Sequence, residues 1–373
     1  MTGPDEREVG REVLPAAPVS RGPLVGSRDL VGYARAMTAF TAAPPFAIVI
    51  PRDEAETYWQ PAPSHGTMNT ILSPRNCPSN AFSVATQYID AGCEIRLHAH
   101  ERIEEILFLY EGHGTLTLED TKIPVREGST CLVGRYIRHR LDNESDRLMK
   151  VLVVALPPGI EEGWRAIGKP RVWGEDPPPR YTRNDIPNLA QILDDAGFAR
   201  PEKIDAALPS EKGPGLCFYP DEGPSFWQPR PTGGYATLKL HHGSMPSNMF
   251  AMGTQTIPPG GRLGARAFEV GEAAFFVYSG TGRAMVNGKC HGIAPETLIY
   301  VGRDASHDIE NDSAEHLALA WIVTPPGLEG LMRAIGRART SGTTEPVPFD
   351  APKDLAAACR RARIALARPP ESG

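Results

Sequence analysis

Apolar and polar residues alternate along this chain in short runs, and turn residues interrupt them at close intervals. Side chains of an extended strand point to opposite faces with a period of two. Runs such as Glu105-Ile-Leu-Phe-Leu-Tyr110 therefore predict short, half-buried strands, and the 37 glycines and 37 prolines suit the tight turns between them. Helical spacing is confined to a few places. Asn184 to Gly197 has a candidate N-cap, apolar residues at helical intervals and a terminal glycine, which predicts one amphipathic helix. A short helix is expected near Asp29–Phe40. The stretch Asp350–Arg368, with Leu355, Ala358, Ile364 and Leu366 among arginines, is expected to form a solvated C-terminal helix. Arg171-Val-Trp-Gly-Glu-Asp-Pro-Pro-Pro-Arg180 cannot be helical because of its prolines.

The pattern occurs twice. His139 and His307 are 168 residues apart, and the same offset carries Trp59-Gln-Pro onto Trp227-Gln-Pro and Pro78-Ser-Asn80 onto Pro246-Ser-Asn248. It also carries Val133-Gly-Arg onto Val301-Gly-Arg and Arg165-Ala-Ile-Gly168 onto Arg333-Ala-Ile-Gly336. A unit this long is a duplicated domain and not a solenoid repeat. Each copy holds about 110 residues of strand and turn, enough to close one barrel. The predicted division is an arm at 1–45, a first barrel at 46–170, a linker with one helix at 171–212, a second barrel at 213–338 and a tail at 339–373.

Candidate chemistry sits in the first copy. His98 and His100, two apart, share one face of a strand. Glu105 is expected on a strand running back beside it, and His139 follows the turn at Gly128. Three imidazoles and a carboxylate suit iron(II), manganese(II) or nickel(II), with room left for water, substrate or dioxygen. The run Gly92-x5-His98-x-His100-x4-Glu105-x6-Gly112, followed by Gly128 and His139-x3-Asn143, resembles the paired motifs of the cupin superfamily. Gly134 and Tyr136 depart from it, standing where that pattern has proline and glycine. The resemblance implies an all-β fold: two tandem cupin barrels (double-stranded β-helix, jelly-roll) with a few peripheral helices.

Laying one copy on the other separates scaffold from chemistry. His98, His100 and Glu105 become Arg266, Phe268 and Ala273, while Gly92 and Gly112 persist as Gly260 and Gly280. The second barrel is therefore expected to hold no metal. Strand parity supplies further candidates in the first. Arg96 shares the face of His98 and is placed to grip an anionic substrate. Leu107 and Leu109 follow Glu105 inward, Ile137 and Leu141 flank His139, and Gln87 on the preceding strand offers an amide. Gln255 repeats Gln87 in the second copy, as Trp227 and Gln228 repeat Trp59 and Gln60, which favours scaffold roles for all three. Arg102, Arg138 and Arg140 fall on outward parity or in loops, and Tyr136 beside the mouth is a candidate gate.

The net charge of −6 argues against nucleic acid or an acidic membrane as partner. No apolar run is long enough to span a bilayer, and the N-terminus lacks the apolar core of a signal peptide, so a cytoplasmic protein is expected. Six cysteines without a CxxC read as free thiols. Two barrels with one metal set resemble the bicupin ring-cleaving dioxygenases that act on gentisate, salicylate and 5-nitroanthranilate. That resemblance implies iron(II), dioxygen and a small aromatic carboxylate, with Glu105 as a fourth ligand or a catalytic base. Gentisate-type enzymes lack this glutamate, so manganese decarboxylases, isomerases and flavonol dioxygenases remain as alternatives, as does a non-catalytic anion-binding protein. A homo-oligomer is expected.

Overall fold

The computed structural model describes residues 45–366 apart from residue 185. The helix expected at Asp29–Phe40 lies outside them. The described chain is mostly strand, arranged as two tandem barrels, each built from a large antiparallel sheet facing a smaller one. In the first half the small sheet contains Glu94–His98, His139–Asp142, His113–Leu118 and Thr121–Arg126, in that order. The large sheet runs Glu56–Trp59, Thr67–Leu72, Ser83–Ile89, Met149–Leu156, Glu104–Glu111 and Thr130–Val133, with a further short strand at either edge. The second half repeats this plan at the same offset.

Parity along Glu104–Glu111 sorts three cores. Leu107 and Leu109 point into the first barrel with Val151 and Val153. Ile106, Phe108 and Tyr110 point the other way, onto Phe276, Leu298 and Ile322 of the second half. The second barrel is filled by Phe275, Ile299, Leu319, Trp321 and their neighbours. The two large sheets thus pack back to back through apolar faces.

The edges show an exchange of strands. Ala47–Ile50 pairs with Leu298–Val301 of the second barrel, register Ala47 to Val301. Gly215–Phe218, at the same place in the second copy, pairs with Thr130–Val133 of the first, Gly215 to Val133. Each half gives its leading strand to the sheet of the other. The barrel division expected at 46–170 and 213–338 is therefore corrected at both leading edges. A buried polar contact adds to the joint, where the Tyr88 hydroxyl donates to Glu296 and Lys150 lies 3.4 Å from the same carboxylate. Glu296 has φ of +71° at the position held by Gly128 in the first half, a conformation that ordinarily favours glycine.

Two expectations about helices change. The linker holds two short helices, Leu189–Asp195 and Pro201–Ala206. The first begins after Pro187 and not at Asn184, since proline disfavours helix in the residue before it. The tail is not a solvated helix either. Leu355–Arg361 is followed by Ile364–Leu366, which pairs with Arg266–Phe268 and buries Ala358, Cys359 and Ile364 against the second barrel. Those apolar positions cover a sheet edge, which the flanking arginines obscure in the sequence.

Asn143 and Asn311 anchor matching turns. Asn143 Nδ2 donates to the carbonyls of Ile89, Asp90 and Arg147 at 2.9, 3.1 and 2.7 Å. Asn311 Nδ2 donates to Ile257 and Glu315 at 2.8 and 2.7 Å. Each amide oxygen accepts from a serine two residues on. Replacing either asparagine with alanine orphans buried carbonyls, and the expected loss is about 2–4 kcal/mol of stability. Denaturant titration of Asn143→Ala and Asn311→Ala measures it; a loss under about 0.5 kcal/mol would refute this reading of the turns.

Candidate metal centre and its cavity

The strand Glu94–His98 ends at His98, and His100 lies just beyond it in a single bridge to Phe198. His139 opens the strand beside it and stands directly across from His98. Glu105 comes from elsewhere. Its strand pairs with Met149–Leu156 and Thr130–Val133 in the large sheet and does not run beside the histidine strand as expected. The chain crosses from one sheet to the other between His100 and Glu104, so the carboxylate approaches the imidazoles across the barrel interior.

The four groups converge. One ligand atom from each of His98, His100, Glu105 and His139 lies within 4.8 Å of every other. The His98 and His139 ring centroids are 4.0 Å apart, and Glu105 Oε2 is 3.0 Å from His139 Nε2 and 3.5 Å from His100 Nε2. His98 Nδ1 lies 2.7 Å from the Arg96 carbonyl and His139 Nδ1 lies 3.1 Å from the Ile137 carbonyl. Those contacts place the proton on Nδ1 and leave Nε2 with its lone pair facing the centre, the arrangement that backbone carbonyls give to metal-ligating imidazoles.

Burial first, then the charge of the neighbouring His139, holds His98 well below the usual histidine range. Burial likewise lowers His100, partly offset by Glu105. Burial alone would raise Glu105, but His100 and His139 beside its carboxylate outweigh that and hold it well below the usual carboxylate range. Neutral imidazoles and an ionised carboxylate are the protonation states that bind a divalent cation. His139 Nε2 and both ring nitrogens of His100 are buried without a hydrogen-bond partner. Orphaned buried nitrogens are costly, and a cation at the centre would satisfy His139 Nε2 and one nitrogen of His100. The donor set fits the metals named above.

The loop before His139 accounts for the two motif departures. Tyr136 has φ of +60°, the left-handed region that a glycine would occupy freely, and its amide donates to the His100 carbonyl at 2.7 Å. A Cβ on Gly134 would fall 2.5 Å from Gly213, so two glycine backbones pass each other there.

Above the centre opens a cavity of about 410 Å³. Arg96, Gln87, Leu107 and Leu141 line it with His98, Glu105 and His139. Two expected wall residues do not reach it. Leu109 lies four residues beyond Glu105 along the strand and belongs to the barrel core, while Ile137 faces Gly215 and serves the site through its carbonyl. Gln87 donates its amide to Gln60 at 2.8 Å, and Gln60 in turn donates to the Tyr88 and His65 carbonyls. Arg138 is not turned to bulk solvent. It stands at the rim, paired with Asp205 and 3.6 Å from Glu119. Arg102 donates to the Asp194 and Asp195 carbonyls and Arg140 pairs with Asp142 and Glu94, while Tyr136 is not part of the wall.

The roof is what sequence reading missed. Leu193, Phe198, Arg200 and Ile204 of the linker close the cavity with Ile160 and Trp164 from the helix Ile160–Ile167. Lys203 fastens this roof to Glu101 and Asp194 at 2.6 and 3.2 Å. A signal was present: Ala196-Gly197-Phe198-Ala199 parallels Ala362-Arg363-Ile364-Ala365 after the second copy, at a spacing two residues short of the offset between the copies. Both Gly197 and Arg363 have positive φ.

The second barrel fills the corresponding space. Phe268 stacks on His307 with centroids 5.3 Å apart and an interplanar angle of 14°, and Arg266 donates to the Leu263 and Gly264 carbonyls. No second metal-type cluster occurs among the described residues.

A family model described as "Cupin domain" matches residues 85–155 and again 253–323. An uncharacterised protein of Methanocaldococcus jannaschii is 32% identical over 92 residues, covering 25% of this chain and 74% of that protein. The chain belongs to the cupin family and carries two copies of its domain. Among solved structures, an oxalate decarboxylase of Lactobacillus farciminis in complex with formate superposes with a TM-score of 0.52 at 15% identity, over 74% of this chain and 86% of that one. An oxalate decarboxylase of Bacillus subtilis, from work on its Mn(II) centres, superposes with a TM-score of 0.51 at 15% identity, over 74% and 77%. At this identity the likeness is one of fold.

Two predictions follow from the contrast between the halves. Elemental analysis is expected to find about one divalent ion per chain, lost in His139→Ala and kept in His307→Leu. Retention by His139→Ala would place the ion elsewhere. Burial, then the Arg266 charge, pushes His307 down to about 3 from an ordinary 6.5. The unfolded chain therefore binds the extra proton first. The stability tied to neutral His307 is complete above about pH 6.5 and drains away as pH falls toward 3. Denaturation of His307→Leu should accordingly fall less steeply with acid than wild type across that window; parallel curves would contradict this.

Proposed function

We propose that this protein is a metal-dependent enzyme acting on a carboxylate with an apolar body. His98, His100, His139 and Glu105 hold manganese(II) or iron(II). The observation that carries this reading is the set of orphaned inward nitrogens beside an ionised carboxylate, at the floor of a roofed cavity. Arg96 opens onto the same cavity and supplies a cation for a substrate carboxylate. Leu107, Leu141, Trp164 and Phe198 supply an apolar wall.

A bound ion would act as a Lewis acid on a substrate oxygen, or, as iron, would bring dioxygen beside the substrate. We favour the redox-neutral course, loss of carbon dioxide or a related carbon–carbon cleavage, because the fold is shared with proteins named as oxalate decarboxylases. Oxalate itself is small for a cavity of about 410 Å³ with so apolar a wall, so the substrate here is a larger acid. In this scheme Glu105 orients the ion and offsets one of its two charges, and the linker residues narrow the way to it. The apolar wall also favours a second reading, an iron(II) dioxygenase opening a carboxylated hydroxy- or aminobenzene ring.

Anaerobically prepared protein, analysed for metal and screened on substituted benzoates and aryl-substituted acids, separates the two. Carbon dioxide release without oxygen uptake is expected, with turnover falling on the order of 100-fold or more in His98→Ala. Stoichiometric oxygen uptake with iron would favour ring cleavage. A metal-free protein, or full activity in His98→Ala, would end the metalloenzyme reading.

A further inference from the structure

Among the described residues, two cations face the cavity without a counter-charge. Arg96, from the strand that ends at His98, and Arg183, from the linker, both line it. The other arginines of the wall are matched: Arg138 by Asp205 and Glu119, Arg200 by Asp194 at 3.3 Å. Arg96 and Arg183 meet no carboxylate among the described residues. Arg96 donates only to the Ala62 carbonyl, at 3.0 Å, which orients the guanidinium and leaves its charge in place. Burial, then the charge of Arg96, lowers Arg183 from the usual arginine range. Like charges in a half-desolvated wall repel, and an anion placed between them removes that cost. A carboxylate suits two guanidinium forks in particular.

The position of the pair sets what else the ligand carries. Arg96 is two residues upstream of His98 on one strand face, about 7 Å along it. The guanidinium is tied to the Ala62 carbonyl, so an acid group held there is distinct from the group at the metal. The charges agree. A divalent ion beside Glu105 keeps one positive charge, and the arginines add two, so a monoacid leaves this wall strongly cationic while a diacid comes close to balancing it.

We propose that Arg183 and Arg96 form a carboxylate clamp, and that the substrate is a dicarboxylate with an apolar spacer, one acid at the ion and the other at the clamp. The first of those contacts rests on the metal reading above; the clamp does not. Arg183 is then a specificity-determining residue supplied by the linker.

The test uses the full chain loaded with manganese(II), with isophthalate and benzoate as probes and calorimetry as the readout. Isophthalate is expected to bind at least tenfold tighter than benzoate. Arg183→Gln should weaken isophthalate tenfold or more and benzoate less than threefold, with metal content unchanged, and Arg183→Lys should recover only part of the loss. Equal binding of the two acids by wild type, or an unaltered preference in Arg183→Gln, would overturn the clamp. Arg96→Gln carries the same expectation and serves if the linker variant fails to fold. Chelated protein separates the two readings. Isophthalate binding that remains sensitive to Arg183→Gln in a chain that never takes up metal would sink the metal reading and leave the clamp standing.

Discussion

Placing three imidazoles and a carboxylate together away from water is the constraint around which the first barrel is organised. Buried nitrogens with no protein partner are costly unless something else satisfies them. The surrounding residues all serve that convergence. Backbone carbonyls of Arg96 and Ile137 set two rings, the left-handed turn at Tyr136 ties the loop to His100, and the sheet crossover after His100 brings Glu105 in from the far side. The second barrel shows what the same scaffold does without the constraint. An aromatic ring and a guanidinium occupy the ligand positions, and His307 stacks on Phe268 as a packed, neutral ring.

Much of this was legible in the residues. The offset of 168 reports the duplication directly, and the cupin fold follows from it and from the glycines that both copies retain. The spacing of His98, His100, Glu105 and His139 marks four groups that the structure brings within 4.8 Å. Strand alternation was informative about which face Leu107 and Leu109 occupy, but it has no depth scale, so it could not separate a cavity wall from the core beneath it. Pairing partners were also out of reach. Alternation says which way a side chain points and nothing about which sheet the strand joins, which is why Glu105 was expected beside the histidine strand.

The roof was hidden for a different reason. Linker and tail are polar on one face and bury only a few apolar residues each, so composition reads them as solvated. Their shared role appears only when Phe198 is seen to bridge to His100 and Ile364 to Phe268. Each follows its own barrel and closes its mouth. Over the second barrel the closure lies on a filled interior, and over the first it leaves a chamber. The chemistry of that chamber is set as much by the linker, through Phe198, Arg200 and Arg183, as by the barrel strands.

The crossed leading strands have a consequence for what counts as a domain here. Ala47–Ile50 and Gly215–Phe218 are each covalently part of one barrel and hydrogen-bonded into the other. A fragment ending at the linker would keep a strand with no ladder to join and would bare the rim of its own sheet, the kind of surface that recruits foreign strands. The two halves thus depend on each other for an edge, and the half without a metal-type cluster among its described residues supplies the strand that its neighbour's sheet would otherwise lack.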